Sequence, residues 1–372
     1  MKIADVETLV LRLPTVVANG DGLQDLLIVK VHTDTGISGL GEVHTMPTVI
    51  KAIIDAPVSQ LAAQGLKHLL VGEDPMRIDY LWEKMYTHTL VAGRRGAVIN
   101  AISGIDMALW DIRGKATGQP LYELLGGAAR HAVSAYASDL MVGNVDEVVR
   151  KGSQLVHAGY KAIKLGWGTL GLNVTNDIEA VRRLRAAFGP EVDIMLDLGM
   201  PIPMQTAVAL GEALALYNVF FLEEPLSPDD LEGYSELVRI SPRPIATGEK
   251  ETTRFGFADL IERGCLRIIQ PDIARAGGVT EVKGITSFAE ARGVRIIPHS
   301  WASDILLSAT LHVIATLAHA EYIEFNVTDN PLRTQLLKRP LRVENGALRV
   351  PDEPGLGVEL NEETVARYRR PA

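Results

Sequence analysis

The sequence predicts an α/β fold in which a closed (β/α) barrel follows a smaller α+β domain. From about residue 132, short apolar strands alternate with amphipathic helices, the texture of repeated βα units around a parallel sheet. Eight strands can be counted, which suits a barrel better than an open sheet, and no glycine-rich phosphate loop follows the first of them. From the second strand on, each C-terminal end carries an ionisable residue: Lys164, Asp197, Glu223, Glu249, Asp272, His299 and Glu324. Their separations of 33, 26, 26, 23, 27 and 25 residues are about one βα unit each, so all should project into the mouth where barrel active sites lie.

Residues 1–125 open with strand-like runs, Lys2 to Leu13 and Leu26 to Thr33. The second passes through Asp34-Thr35-Gly36 into Ile37 to Val43, which reads as an antiparallel meander. A helix is expected to open at Asp74-Pro75, where Asp can cap free amides and Pro suits the first turn, with Ile78, Leu81, Trp82 and Met85 on one face. Another carries Val98, Ile102, Ile105, Leu109 and Ile112 at helical spacing. The barrel is expected over 126–326. Its strands are Ser134 to Ser138, Ala162 to Gly166, Asp193 to Leu198, Val219 to Pro225, Pro244 to Glu249, Ile268 to Ile273, Arg295 to Ser300 and Tyr322 to Asn326. Intervening helices include Asp177 to Phe188 and Val279 to Arg292. In the tail, 327–372, Leu341 to Glu344 and Ala347 to Val350 flank Asn345-Gly346, a strong hairpin signal, and the tail is expected to return to the N-terminal domain.

Composition narrows the function. A chain of 372 residues fits a barrel of about 250 residues plus a smaller domain. With 47% hydrophobic and 22% charged residues it resembles a globular protein with a sizeable core. A net charge of −9 leaves no basic stripe, so neither nucleic acid nor an anionic membrane is an expected partner. The single cysteine, Cys265, excludes an internal disulfide framework and suits a reducing compartment, so a cytoplasmic location is expected. Neither a secretory signal nor a bilayer-spanning stretch is legible.

A single carboxylate at a strand end is more often a salt-bridge partner or a helix cap than a catalyst. A register of seven ionisable ends changes that reading. Asp197, Glu223 and Glu249, from consecutive strands, form a hard anionic cluster that would repel itself unless a cation such as Mg²⁺ lay within it. Zinc suits the set less, because it contains no cysteine and one histidine. Lys164 lies to one side and Asp272 with His299 to the other, where the aspartate can orient and charge-stabilise the imidazole. Two candidate bases therefore flank one metal. Glu324, if protonated, could donate to a substrate carboxylate, although a buried glutamate can equally pair with Lys or Arg.

Further landmarks surround these residues. Ala101-Ile102-Ser103-Gly104-Ile105-Asp106 leads through Ala108-Leu109-Trp110-Asp111-Ile112 to Leu124-Leu125-Gly126-Gly127. Glu223-Glu224-Pro225, Gly248-Glu249, Gln270-Pro271-Asp272, Gly277-Gly278, Pro298-His299, Ile323-Glu324-Phe325 and Pro354-Gly355-Leu356-Gly357 follow in order. Together they resemble the mandelate racemase subgroup of the enolase superfamily nearly end to end. The resemblance implies a barrel of the enolase type under a capping domain, Mg²⁺ on Asp197, Glu223 and Glu249, a His299–Asp272 dyad, and contact of Glu324 with the intermediate. It implies that Glu224 stands behind the metal ligands and that cap loops, here Thr15 to Gln24 and the stretch around Glu42 to Pro47, select the substrate. It also implies a small-molecule carboxylate substrate, commonly an acid sugar, and a homo-oligomer, often a dimer or octamer.

Two departures from the subgroup stand out. It usually has Lys-X-Lys on the second strand, and aligning the second lysine with Lys164 leaves Ala162 at the first. The missing cation would have helped to bind the substrate carboxylate and to lower the Lys164 pKa, so Lys164 is expected to be the poorer base. Where relatives commonly read Asp-X-Asn, this chain reads Asp197-Leu198-Gly199. Lys250 follows the third ligand; it could restore positive charge in the mouth, but strand alternation opposes it to Glu249 and favours a solvent-facing side chain. The expected activity is removal of an α-proton by His299 through an enediolate, with dehydration of an acid sugar to a 2-keto-3-deoxy acid. The alternatives are an isomerase (racemase, epimerase or cycloisomerase) and a non-catalytic carboxylate binder.

Overall fold

The computed structural model describes residues 1–370 apart from residues 19 and 142. The chain opens with the antiparallel meander β1 (Ile3–Arg12), β2 (Asp25–Thr33) and β3 (Ser38–Val43), in that spatial order. The sheet packs on the helix Ala97–Thr117, with β3 so close that a Cβ on Gly41 would stand 1.8 Å from the Gly104 carbonyl oxygen. This helix is buried on nearly every side, because its other faces meet the barrel. Gly277 N donates to Ser103 Oγ at 2.9 Å, and Trp82 Nε1 donates to Gly277 O at 2.7 Å. The helix expected from Asp74-Pro75 begins at Ile78 instead. Asp74 closes the preceding turn, accepting from Met76 N at 3.0 Å, while Ile78, Leu81, Trp82 and Met85 form the buried face.

Eight strands make the barrel: β4 (Ala132–Leu140), β5 (Ala162–Gly166), β6 (Asp193–Asp197), β7 (Val219–Glu223), β8 (Ile245–Thr247), β9 (Ile268–Ile269), β10 (Arg295–Ile296) and β11 (Ile323–Asn326). A parallel ladder runs from β10 back through β4 to β11. Side chains bridge the remaining seam, where Ser300 N donates to Glu324 Oε2 at 2.6 Å and Arg295 Nε to Glu321 at 2.8 Å. Tyr136, Ala162, Met195, Phe221, Ala246, Ile268 and Ile297 pack into a buried inner layer below the mouth. Strands β8 to β10 are shorter than the sequence suggests, because the chain leaves the ladder early and carries Glu249, Asp272 and His299 on the segments beyond.

In the tail, the hairpin β12 (Val343–Glu344) and β13 (Ala347–Arg349) turns through Asn345 and Gly346 at φ 52° and 78°, the positive values a two-residue I′ turn requires. It joins the barrel and not the N-terminal sheet, with β13 antiparallel to the start of β4. The chain then returns to the N-terminal sheet, where Arg370 N donates to Val10 O at 2.9 Å. Among the described residues, no helix is long and apolar enough to cross a membrane.

Candidate active site

Asp197 and Glu223 end β6 and β7 and are paired directly in the ladder, while Glu249 lies two residues beyond β8. Their oxygens lie within 4.8 Å of one another, and all three residues are buried. Burial, with the Asp197 charge next to it, pushes the Glu223 carboxyl up to about 8, and burial raises Asp197 as well. On Glu249 burial acts in the same direction, but His299 and Arg275 outweigh it and hold that carboxyl below its ordinary value. Such a set of oxygen donors can hold a hard divalent cation.

His299 Nδ1 lies 2.6 Å from Asp272 Oδ2, and the other Asp272 oxygen accepts from Ala274 N at 2.7 Å, which fixes the carboxylate. His299 Nε2 is 3.4 Å from Glu249 Oε2, so the free ring nitrogen faces the carboxylate cluster. Burial disfavours the imidazolium, yet Glu249, Glu324 and Asp272 outweigh it and raise His299 to about 9. Asp272 is lowered to about 2 against its burial by His44, His299 and Arg275.

Lys164 is buried within this cluster, with Nζ 2.8 Å from Glu223 Oε1, 2.9 Å from Glu324 Oε1 and 3.5 Å from Asp197 Oδ2. Against its burial, Glu223 and Glu324 raise its pKa well above the ordinary lysine value. Glu324 in turn is brought to about 2, since Lys164 and His299 outweigh its burial. It is therefore a paired carboxylate and not a protonated donor. Ala162 lies two residues below Lys164, in the inner layer and not among the residues that border the cavity. Toward the mouth the same face of β5 carries Gly166, in register with Asp197. The position without a side chain on this strand is thus Gly166.

Lys250 stays partly exposed, with a side chain 31% accessible, but its ammonium is paired within the chain. Strand alternation fails there because β8 ends at Thr247 and Gly248 takes a φ of 136°. The ammonium donates to Gly199 O at 2.8 Å, forms an ion pair with Glu224, and stands 5.5 Å from the Trp167 ring centroid. Glu224 is accordingly occupied beside the metal-ligand candidates. Gly199 has a φ of 66°, and a Cβ there would lie 2.6 Å from the Trp167 ring, so the indole fills the space an asparagine side chain would need.

The cavity above these residues measures about 180 Å³, and Lys164, Asp197, Glu249, Arg275, His299 and Glu324 border it. Gly20 and Gly22 of the expected cap loop, with Trp167 and Trp301, form its outer wall; residue 19 of that loop lies outside the described residues. Glu42 is used elsewhere. Its oxygens accept from Ser303 N at 3.0 Å, Ser303 Oγ at 2.6 Å and Leu306 N at 3.1 Å, which ties the N-terminal sheet to the helix Asp304–Ala315. His44 reaches the dyad, with Nε2 3.5 Å from Asp272 Oδ2, and burial lowers it to about 3. Sequence reasoning missed Arg275, Trp167 and Trp301, since none falls on the strand-end period, and it named the stretch around Glu42 to Pro47 without singling out His44. Gly248, directly after β8, gave the one local sign that Lys250 had left the strand.

Residues 2–126 match the family model of the mandelate racemase / muconate lactonizing enzyme N-terminal domain, and residues 147–364 match that of the enolase C-terminal domain-like family. The chain is 36% identical over 360 residues to a D-galactonate dehydratase of Ralstonia nicotianae, covering 93% of this chain and 91% of the relative. A crystal structure of the 3,6-anhydro-D-galactonate cycloisomerase of Zobellia galactanivorans superposes with a TM-score of 0.90 at 32% identity, over 100% of both chains. A racemase from Streptomyces coelicolor A3(2) with bound magnesium superposes with a TM-score of 0.88 at 28% identity, over 99% of this chain and 100% of that one. With both its N-terminal and barrel regions matched, the chain belongs to the mandelate racemase and muconate lactonizing enzyme family of the enolase superfamily.

Proposed function

We propose that this chain is a Mg²⁺-dependent hydro-lyase that dehydrates an acid sugar to a 2-keto-3-deoxy acid. The observation that carries the reading is a site in which one candidate base presents an unbonded ring nitrogen, its pKa raised against its burial first by Glu249, whose charge a bound dication would offset. His299, bonded to Asp272 at 2.6 Å, turns its other ring nitrogen toward the carboxylates, while Lys164 is held by Glu223 and Glu324 and Gly166 offers no side chain. Racemisation of one carbon needs a proton acceptor and a proton donor on opposite faces, whereas elimination can use one imidazole twice.

The donor set fits a hard dication: three buried carboxylates converge, and burial with mutual repulsion drives Glu223 to about 8 in the absence of one. Asp197, Glu223 and Glu249 would hold it. When bound, Mg²⁺ supplies positive charge that favours ionisation at the α-carbon of a carboxylate substrate. His299 Nε2 removes the α-proton, and Asp272 holds the resulting imidazolium through Nδ1–H. The same imidazolium then gives a proton to the departing β-hydroxyl, leaving an enol that tautomerises to the keto acid. Lys164 keeps Glu223 and Glu324 paired throughout and takes no proton.

Similarity to a D-galactonate dehydratase supports the acid-sugar reading. Similarity to a 3,6-anhydro-D-galactonate cycloisomerase supports a variant in which a ring ether oxygen leaves in place of the hydroxyl, with the same single base. Incubation of the Mg²⁺-loaded protein with a library of acid sugars should yield 2-keto acid, and EDTA should abolish it. A library that yields none, or turnover indifferent to EDTA, overturns the proposal.

A further inference from the structure

The proton transfers assigned to His299 and Asp272 leave one buried side chain beside the dyad unused. His44 follows β3 directly and is buried, and neither of its ring nitrogens has a hydrogen-bond partner among the described residues. A buried imidazole N–H without an acceptor costs its full desolvation, so native structures rarely leave one. The nearest acceptor is Asp272 Oδ2, 3.5 Å from His44 Nε2, and the same oxygen faces His299 Nδ1 at 2.6 Å. That separation exceeds an N–H···O bond by only about 0.3 Å. The other Asp272 oxygen is taken by Ala274 N at 2.7 Å, while Oδ2 has two lone pairs and His299 occupies one. Arg275 Nε is farther from Oδ2, at 3.8 Å, and its guanidinium is held by Glu249 through Nη1, at 3.1 Å from the backbone oxygen and 3.2 Å from Oε1. Burial lowers His44 to about 3, so the ring is neutral with one N–H, and Nε2 is the nitrogen placed to carry it. Two residues earlier, Glu42 fixes this segment by accepting from Ser303 and Leu306. His44 does not itself border the cavity.

We infer that His44 is a positioning residue for the base, its Nε2–H filling the second lone pair of Asp272 Oδ2, so that the N-terminal domain supplies the third member of a His44–Asp272–His299 row. This rests on the reading of His299 as the base. With two donors on Oδ2 and one on Oδ1, the carboxylate cannot turn about its Cβ–Cγ bond. Held ionised and in place, it keeps a proton on His299 Nδ1 and leaves Nε2 as the nitrogen that meets the substrate. Because His44 is set back from the cavity, it acts through Asp272 alone, and loss of its N–H falls on kcat and not on KM. The domain that covers the mouth thereby also orients the base beneath it.

The test uses three variants of the full chain, loaded with Mg²⁺. His44→Phe and His44→Leu remove the donor with more and with less bulk, whereas His44→Gln keeps an amide N–H close to where Nε2 was. On an acid sugar that the wild type turns over, both apolar variants should lose about tenfold or more in kcat with KM nearly unchanged, and His44→Gln should recover most of that loss. Crystal structures of the same variants give a readout that needs no turnover. In the apolar variants the Asp272 carboxylate should rotate and the His299 ring should follow it, and in His44→Gln both should keep their wild-type places. Wild-type kcat in a folded apolar variant overturns the inference, and so does a His44→Gln variant as impaired as the apolar ones, which would assign His44 to packing. An undisturbed dyad in the apolar crystal structures overturns it as well. If the wild type turns over no acid sugar, the acid-sugar reading falls and the crystal structures alone decide the role of His44.

Discussion

Lys164 is the residue whose role the structure changes most, since its ammonium serves as the internal counter-charge of the carboxylate cluster. Breaking a buried ion pair from one side costs about 3–5 kcal/mol, because the remaining charges are left unpaired. Lys164→Met should therefore lower the melting temperature of the metal-free protein, and Mg²⁺ should raise it by more than it raises the wild type. Differential scanning calorimetry with and without the metal checks this; an unchanged metal-free melting temperature contradicts it. Glu223 makes a second prediction. Burial and the Asp197 charge raise its carboxyl to about 8 against the pull of Lys164, so cation uptake near neutral pH should expel a proton from the cluster. Mg²⁺ affinity should then rise with pH up to about 8, and titration calorimetry in buffers of different ionisation enthalpy should show proton release. Equal apparent enthalpies in such buffers would count against Glu223 as a ligand.

Among the elements, the short strands β8 to β10 explain both what was legible and what was not. The period of strand-end residues survives in Glu249, Asp272 and His299 even though each lies past its ladder, because one βα unit separates them whether the strand is long or short. Side-chain direction does not survive, and Lys250 shows why: alternation holds only within a strand, and Gly248 breaks it. The family landmarks identified the helix Ala97–Thr117, but the use of Glu42 at the start of the helix Asp304–Ala315 depends on a contact across 261 residues that no local pattern encodes. Glu42→Gln replaces one acceptor of that cap by an amide donor, and should cost about 2 kcal/mol. It should also raise KM, because the same segment follows His299 and Trp301. Chemical denaturation and steady-state kinetics on one variant test both, and wild-type stability would show that the link carries no load.

For the whole molecule, the cap, barrel and tail meet at His312, buried in the helix Asp304–Ala315, with Nδ1 accepting from Tyr122 N at 3.3 Å and Nε2 3.2 Å from Leu356 O. Burial lowers its pKa to about 4 from the ordinary 6.5 of a histidine. Between those values the unfolded chain binds the proton that the folded one refuses, so stability rises with pH there and is lost as pH falls from 6.5 toward 4. That contribution is about 3 kcal/mol. His312→Gln should flatten this limb of a melting-temperature profile, and an unchanged limb would assign it to other groups. The barrel and its seven ionisable ends could be read from the chain alone. His299 is the base expected from the sequence as well, but by way of Ala162; what could not be read was the capture of Lys164 by Glu223 and Glu324 and the place of Gly166 at the mouth. The measurement that tests this most directly is α-proton exchange in D₂O, followed by NMR on an accepted acid sugar with Mg²⁺ present. His299→Asn should abolish exchange, while Lys164→Met should keep it and bind substrate more weakly. Exchange at the wild-type rate in His299→Asn, with none in Lys164→Met, would make Lys164 the base and contradict the single-base account.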